Sequence, residues 1–307
     1  MTLSENSPRH IYCVTKNGTN PAYEGARVGV RRVAEDAGFV VTSVFPQKPD
    51  DPVEQAELVE QAILQKPDVV LLAPAHPGAL DPQITKLQEL NIPVISFVSR
   101  SKALAPECFV TSDNYALAYE ITNYLLDHLG GKGRLIIIEG NPNSETSAPR
   151  TVGFEDAIAA NPNAQIVARG IGNYQRIDAF EEMTKILATN PEFDGVLVAN
   201  DFMALGVIEA LENVGHKVPV VSVNAMPDAI EALKNGSLLA TAAFDAMKIA
   251  CASAQAAIRI VRDQPVPAEI SLPVSIVTVD NCDEYDRSYE ERALPTWESA
   301  IGANNNA

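Results

Sequence analysis

Pro67-Asp68-Val69-Val70-Leu71-Leu72-Ala73 has a counterpart later in the chain, Phe193-Asp194-Gly195-Val196-Leu197-Val198-Ala199. A second pair follows at the same distance: Ile92-Pro93-Val94-Ile95-Ser96-Phe97 and Val218-Pro219-Val220-Val221-Ser222-Val223. Sliding the first half until Pro67 meets Phe193 aligns both pairs without a gap, and sets Pro74 on Asn200, Ser96 on Ser222 and Val98 on Asn224. Each copy is a short apolar run, an amphipathic stretch and a second apolar run, which is the pattern of a strand–helix–strand unit. Such units resemble one another in general, but a match in register across a whole unit favours two copies of one α/β domain.

Working outward from the repeat, the same alternation continues in both directions. Apolar, β-branched runs predict strands at residues 11–15, 40–45, 69–73, 94–98, 135–139, 165–169, 195–199 and 220–223. Helical periodicity occupies 23–37, 52–65, 80–90, 115–129, 151–160, 177–189 and 202–214. Continuously apolar strands separated by helices predict parallel sheets covered on both faces, so the fold class is two similar doubly wound α/β domains. Asp113-Asn114 and Asn200-Asp201 stand where helix N-caps are needed, and Gly38, Gly130 and Gly215 where helices close.

An even split would overload the second half with the long helical pattern of 248–261 and the extended 270–279. The chain is therefore expected to recross near Phe244-Asp245 and near 273–276, after a first crossing near 111–114. This gives one domain of residues 1–112 plus 245–273 and a second of 113–244 plus 274–307. Three adjacent connections would make a hinge. The segment 281–307, with Tyr285, Tyr289 and Trp297, is expected to pack as a tail of the second domain, and Asn304-Asn305-Asn306 to fray.

Composition narrows the function. The 307 residues carry 23 Lys+Arg against 40 Asp+Glu, a net charge of −17, which disfavours a polyanionic nucleic-acid partner. Hydrophobic residues at 46% and charged residues at 21% belong to a folded globular protein. No stretch is apolar for the length of a membrane span. Met1 to His10 lack the basic and apolar regions of a secretory signal, so the protein is either cytoplasmic or a chain whose leader has been removed. Cys13, Cys108, Cys251 and Cys282 have no metal-ligand spacing; Cys13 and Cys251, inside apolar runs, read as buried thiols.

Ligands of open parallel sheets sit beyond the carboxyl ends of the strands. In the first half those ends carry the residues from Asn17 to Tyr23, including Asn20, those from Pro74 to His76, and Ser99-Arg100. In the second they carry the residues from Asn141 to Arg150, then Tyr174, Asn200-Asp201 and Asn224. The set is rich in amides and interleaved with aromatics, which suits a hydroxylated molecule whose apolar face packs on a ring. If the two domains face each other, these ends line one cleft.

The pattern resembles the type I periplasmic sugar-binding proteins, the ribose-binding-protein-like solute receptors of bacterial ABC importers, over about residues 9–280. The matching pieces are Asn20-Pro21-Ala22-Tyr23 followed by Gly25, Ile92-Pro93-Val94-Ile95 and Thr111-Ser112-Asp113-Asn114. To these are added Arg150-Thr151-Val152-Gly153-Phe154 and Asn200-Asp201-Phe202-Met203-Ala204-Leu205-Gly206. Sugar-responsive repressors share the domain pair, but the residues ahead of Ile11 hold no helix-turn-helix. The resemblance implies a periplasmic, monomeric receptor that needs no cofactor. It would close on a small sugar or polyol and hand it to the permease subunits of the inner membrane.

Carried over by position, the family's ligand contacts fall on Asn20, Tyr23, Arg150, Tyr174, Asn200, Asn224 and Phe244. Tyr23 and Tyr174 would be apolar walls, one from each domain. Relatives often carry carboxylates where this chain has Val98 and Asn224, so Asp201 and Asp245 are expected to compensate Arg100 and Arg150. Compensation implies a neutral ligand; its failure would imply a sugar acid.

An enzyme is disfavoured. Of the 4 His, only His76 stands at a strand end, and no nucleophile elbow accompanies it. Gly130-Gly131-Lys132-Gly133 precedes a strand rather than following one, unlike a dinucleotide or phosphate loop. The alternative function is a ligand-sensing module or a receptor for a signalling molecule of the autoinducer kind.

Overall fold

A computed structural model describes residues 8–101 and 106–302; Met1 to Ser7 and Asn304 to Asn306 lie outside the described residues. In chain order the elements are β1 (His10–Val14), α1 (Pro21–Asp36), β2 (Val40–Val44), α2 (Pro52–Gln65), β3 (Val69–Leu72), α3 (Asp81–Glu89), β4 (Val94–Phe97), β5 (Cys108–Ser112) and α4 (Asn114–His128). Next come β6 (Gly133–Glu139), α5 (Ser147–Ala159), β7 (Ala164–Ile171), α6 (Arg176–Ala188), β8 (Gly195–Val198), α7 (Asp201–Asn213) and β9 (Val220–Val223). The chain ends through α8 (Pro227–Asn235), β10 (Ala240–Ala242), α9 (Ala246–Val261), β11 (Glu269–Leu272), β12 (Ile276–Val277) and α10 (Trp297–Gly302).

These elements form two compact units. One takes the described residues up to Ser112, Ala246–Leu272 and those from Ala293 on; the other takes Asp113–Asp245 and Pro273–Arg292. The first sheet runs β2-β1-β3-β4-β5-β11 and the second β7-β6-β8-β9-β10-β12. The two orders are the same topology, with β1, β3, β4 and β5 answering to β6, β8, β9 and β10. All pairings are parallel except the last, where β12 runs antiparallel to β10.

Local chemistry places each element. β3, β4, β8 and β9 are buried at every position, which is why they read as unbroken apolar runs rather than alternating ones. The edge strand β7 alternates between half-buried and exposed positions over most of its length, as an edge with one face on the helices must. α4 starts on Asp113, whose carboxylate accepts the Tyr115 and Ala116 amides at 2.9 Å each. α4 and α5 pack closely because Gly153 has no side chain: a Cβ there would lie 2.5 Å from the Tyr115 carbonyl oxygen.

The long helical segment near the end is α9, buried along most of its faces within the first unit and packed on α1. The terminal segment departs from the expectation that it is a tail of the second domain. From Ala293 it belongs to the first unit, where the Gln255 amide donates to the Pro295 carbonyl at 2.7 Å and the Arg259 guanidinium lies 4.8 Å from the Trp297 ring. The only tryptophan of the sequence thus finds a cationic partner on α9, and the chain makes a further connection between the units at Arg292–Ala293. No helix of the described residues is long and apolar enough to cross a membrane.

Candidate functional site

In the first unit, the turn after β1 is built by Asn17. Its side-chain oxygen accepts the amides of Thr19 and Asn20 at 2.9 and 2.8 Å and the Thr19 hydroxyl at 3.0 Å, while its amide donates to Asp50 at 3.1 Å. Asn20 then caps α1: its Oδ1 accepts the Ala22 amide at 3.0 Å, and Pro21 follows where a missing N–H costs nothing. One lone pair of its oxygen holds the cap, which leaves the second lone pair and the Nδ2 donors as what Asn20 can offer a ligand. Tyr23 lies in the first turn of α1 rather than in a loop, and is 7% exposed.

Lys16 is the residue the strand-end reading passed over by one position. It is 2% exposed, and its Nζ donates to the buried Ser99 hydroxyl at 3.2 Å, which joins the end of β1 to the end of β4. Asp50 lies beside them, in a left-handed conformation (φ 58°), with its amide on the Lys16 carbonyl at 2.8 Å. Burial raises its carboxyl above the ordinary range, against the downward pull of the Lys16 charge and the Asn17 bond. The signal was legible: a lysine directly after an apolar strand places its ammonium at that strand's carboxyl end.

Arg100 and His76 do not join this cluster. The Arg100 guanidinium pairs with Glu269 at 2.8 Å and stacks 4.2 Å from the Phe109 ring. Glu269 and Phe109 are register partners near the amino-terminal ends of β11 and β5, away from the carboxyl ends. His76 is exposed, and its Nδ1 accepts the Gly78 amide at 3.1 Å, closing a local turn.

In the second unit the candidate residues converge on one guanidinium. Arg150, in the first turn of α5, is 3% exposed. Its Nε donates to Asn114 Oδ1 at 2.9 Å and its Nη1 to the Ala199 carbonyl at 2.6 Å, with Asn224 Oδ1 at 3.5 Å. The Phe244 ring lies 4.9 Å from the guanidinium carbon and the Tyr174 ring 5.8 Å. A buried planar cation held between ring faces and amide oxygens presents its fork in one fixed orientation. Asn114, the first residue of α4, was not among the expected contacts; its place after a helix cap at the end of β5 was the available clue.

Tyr174 itself is fixed by backbone and hydroxyl. It follows Asn173 in a pair of left-handed residues (φ 51° and 60°), and its hydroxyl sits 3.0 Å from that of Thr146, which sits 3.0 Å from that of Ser144. Gly140 makes room for the ring: a Cβ there would fall 2.2 Å from Tyr174 Cζ. Asn200 caps α7, its Oδ1 accepting the Met203 amide at 2.9 Å.

Asp201, a candidate to compensate the arginine charge, accepts its hydrogen bonds from partners other than Arg150. It is fully buried and accepts the Ser222 hydroxyl, the Thr241 hydroxyl at 2.7 Å and the Met226 amide at 2.9 Å. Burial raises its carboxyl, opposed by those three donors and then by the Arg150 charge. Its compensation of the arginine is therefore through space. Asp245 is likewise buried.

Comparison with known proteins now places this geometry. A family model described as "Periplasmic binding protein domain" matches residues 11–265. The chain belongs to that family. As a periplasmic binding protein, it is a binder and not an enzyme. It is 26% identical over 236 residues to a xylitol-binding protein of Mycolicibacterium smegmatis, covering 76% of this chain and 68% of that one. It is 26% identical over 259 residues to a ribose import binding protein of Bacillus subtilis, covering 84% of each. Among solved structures, a periplasmic solute binding protein of an ABC transporter from Actinobacillus succinogenes, with bound D-allose, superposes with a TM-score of 0.86. The two are 27% identical, and the match covers 90% of this chain and 100% of that one.

Proposed function

We propose that this periplasmic binding protein is the solute receptor of an ABC importer, that it works in the periplasm with inner-membrane permease subunits, and that its ligand is a small neutral sugar or polyol. The observation that carries the reading is Arg150: a buried guanidinium at the carboxyl ends of the second unit's strands, flanked by Phe244 and Tyr174 and by the amide oxygens of Asn114 and Asn224. Ring faces accept the C–H face of a sugar, and the fork and amides serve its hydroxyls. Asn20, Tyr23, Ser99 and Lys16 are proposed to contribute contacts from the first unit. The xylitol, ribose and D-allose in the names of its relatives support this ligand class. Each acidic neighbour, Asp50 near Lys16 and Asp201 near Arg150, offsets a cation and so favours a neutral ligand over a sugar acid.

The experiment is a thermal-shift screen over pentoses, hexoses, polyols and sugar acids. A ligand at 100 times its Kd stabilises the folded state by about 2.7 kcal/mol, a readily measured shift. A neutral sugar or polyol is expected to give it; stabilisation by sugar acids alone would reverse the charge assignment.

A further inference from the structure

The turn that carries Asn224 is strained. Asn224 and Ala225 have φ of 134° and 56°, and neither is glycine. Non-glycine residues stay in such conformations only where the surroundings over-determine them. Three successive amides of the turn are anchored: Asn224 on the Ala242 carbonyl at 2.8 Å, Ala225 on the Thr241 hydroxyl oxygen at 3.3 Å, and Met226 on Asp201 Oδ2 at 2.9 Å.

We propose that Asp201 is the positioning residue of this site, holding through Met226 and Thr241 the left-handed turn from which Asn224 meets Arg150. The direct arm is the Met226 bond. The indirect arm follows from the chemistry of a hydroxyl, which has one hydrogen to give. Thr241 gives its hydrogen to Asp201 Oδ1 at 2.7 Å, so the lone pairs of Thr241 are what face the Ala225 amide. The Ser222 hydroxyl donates to the same Oδ1 and fixes the carboxylate against the end of β9. All three bonds run toward Asp201, whose two carboxyl oxygens accept them, two on Oδ1 and one on Oδ2. These bonds touch neither the Asn224 side chain nor the proposed ligand; they act through the turn, separately from the through-space effect of Asp201 on Arg150. The consequence for binding rests on the proposed function, but the consequence for the turn does not.

Asp201→Asn is the decisive variant because it keeps shape and removes acceptor character at one of the two oxygens. An amide placed toward Met226 opposes its N–H, and one placed toward Thr241 forces that hydroxyl to reverse. In the ligand-free protein, exchange of the Ala225 and Met226 amides is expected to accelerate by about tenfold or more, the scale of one lost hydrogen bond. Amides of β3 in the first unit keep their protection. The binding arm uses whichever of D-ribose, xylitol and D-allose binds the wild type most tightly. Thr241→Val, which cuts the indirect arm and leaves the Asp201 carboxyl in place, and Asn224→Ala should each weaken it, and the double variant should be no weaker than Asn224→Ala alone. If Asp201→Asn does not fold, Thr241→Val and Thr241→Ser replace it: loss of the hydroxyl should unprotect the Ala225 amide and Thr241→Ser should restore it. Unchanged exchange in the turn, or additive effects in the double variant, would overturn the assignment. Failure of all three probes to bind the wild type would count against the proposed function, while the exchange result would still decide the role of Asp201.

Discussion

Replacing Arg150 tests the site at its centre. The guanidinium donates to Asn114 Oδ1 at 2.9 Å and to the Ala199 carbonyl at 2.6 Å from a position 3% exposed to solvent. Arg150→Gln keeps a polar side chain but loses the fork, the charge and the guanidinium's contacts with the Phe244 and Tyr174 rings; Arg150→Ala loses the polar side chain as well. A charge-assisted hydrogen bond is worth about 1.5–3 kcal/mol, and each 1.4 kcal/mol is tenfold in affinity. Loss of the set that faces the ligand should therefore weaken binding by roughly 10- to 100-fold, more for Ala than for Gln. Titration calorimetry with the tightest of D-ribose, xylitol and D-allose reads this directly. Urea unfolding of the free variants separates it from stability, which should fall by about 1–3 kcal/mol because the Ala199 and Asn114 oxygens lose their donor. Wild-type affinity in both variants would remove Arg150 from the site and refute the reasoning.

Three other outcomes follow from the same geometry. Tyr174→Phe keeps the ring beside Arg150 and removes the bond to the Thr146 hydroxyl, so stability should fall by about 1 kcal/mol in urea unfolding; a loss several times larger would mean that the hydroxyl organises the loop. Asp50, raised by burial, holds its proton more tightly folded than unfolded. Its contribution is therefore most favourable below the ordinary carboxylate value of about 3.9, and it is lost as pH climbs through the raised value. Wild type should lose stability relative to Asp50→Asn over that rise, and a pH-independent difference would contradict the burial argument. Burial pushes the Cys13 and Cys108 thiols up to about 12, and Cys251 and Cys282 are also buried. A thiol reagent at pH 8 should thus count all four only in denaturant; rapid reaction of the native protein would show a thiolate the fold does not bury.

Much of the fold was legible because it is duplicated. The matching runs at Val69 and Gly195, and at Val94 and Val220, are central strands buried on both faces, where only apolar residues fit. Asp113 and Asn200 announced α4 and α7 because an N-cap needs a short side-chain acceptor. What escaped was short or decided by tertiary partners. β10 spans three residues, too few for a period to stand out. The tail moved to the first unit because Trp297 found Arg259 on α9, a pairing no local pattern announces. Within the site, Arg150, Tyr174, Asn224 and Phe244 were read from their positions and the structure brings them together. Arg100 was drawn to Glu269 and Phe109 instead, and Lys16 took its place beside Ser99. A long cation can reach either end of a short strand, so its destination depends on which acceptor the fold presents.

The most direct test of the account is a calorimetric titration of the purified protein with neutral sugars and polyols, sugar acids, and an amino sugar. One neutral sugar or polyol should bind at one molecule per chain, more tightly than its acid counterpart, with the amino sugar weakest. No binding by any neutral member, or preference for the amine over the neutral parent, would contradict the central claim.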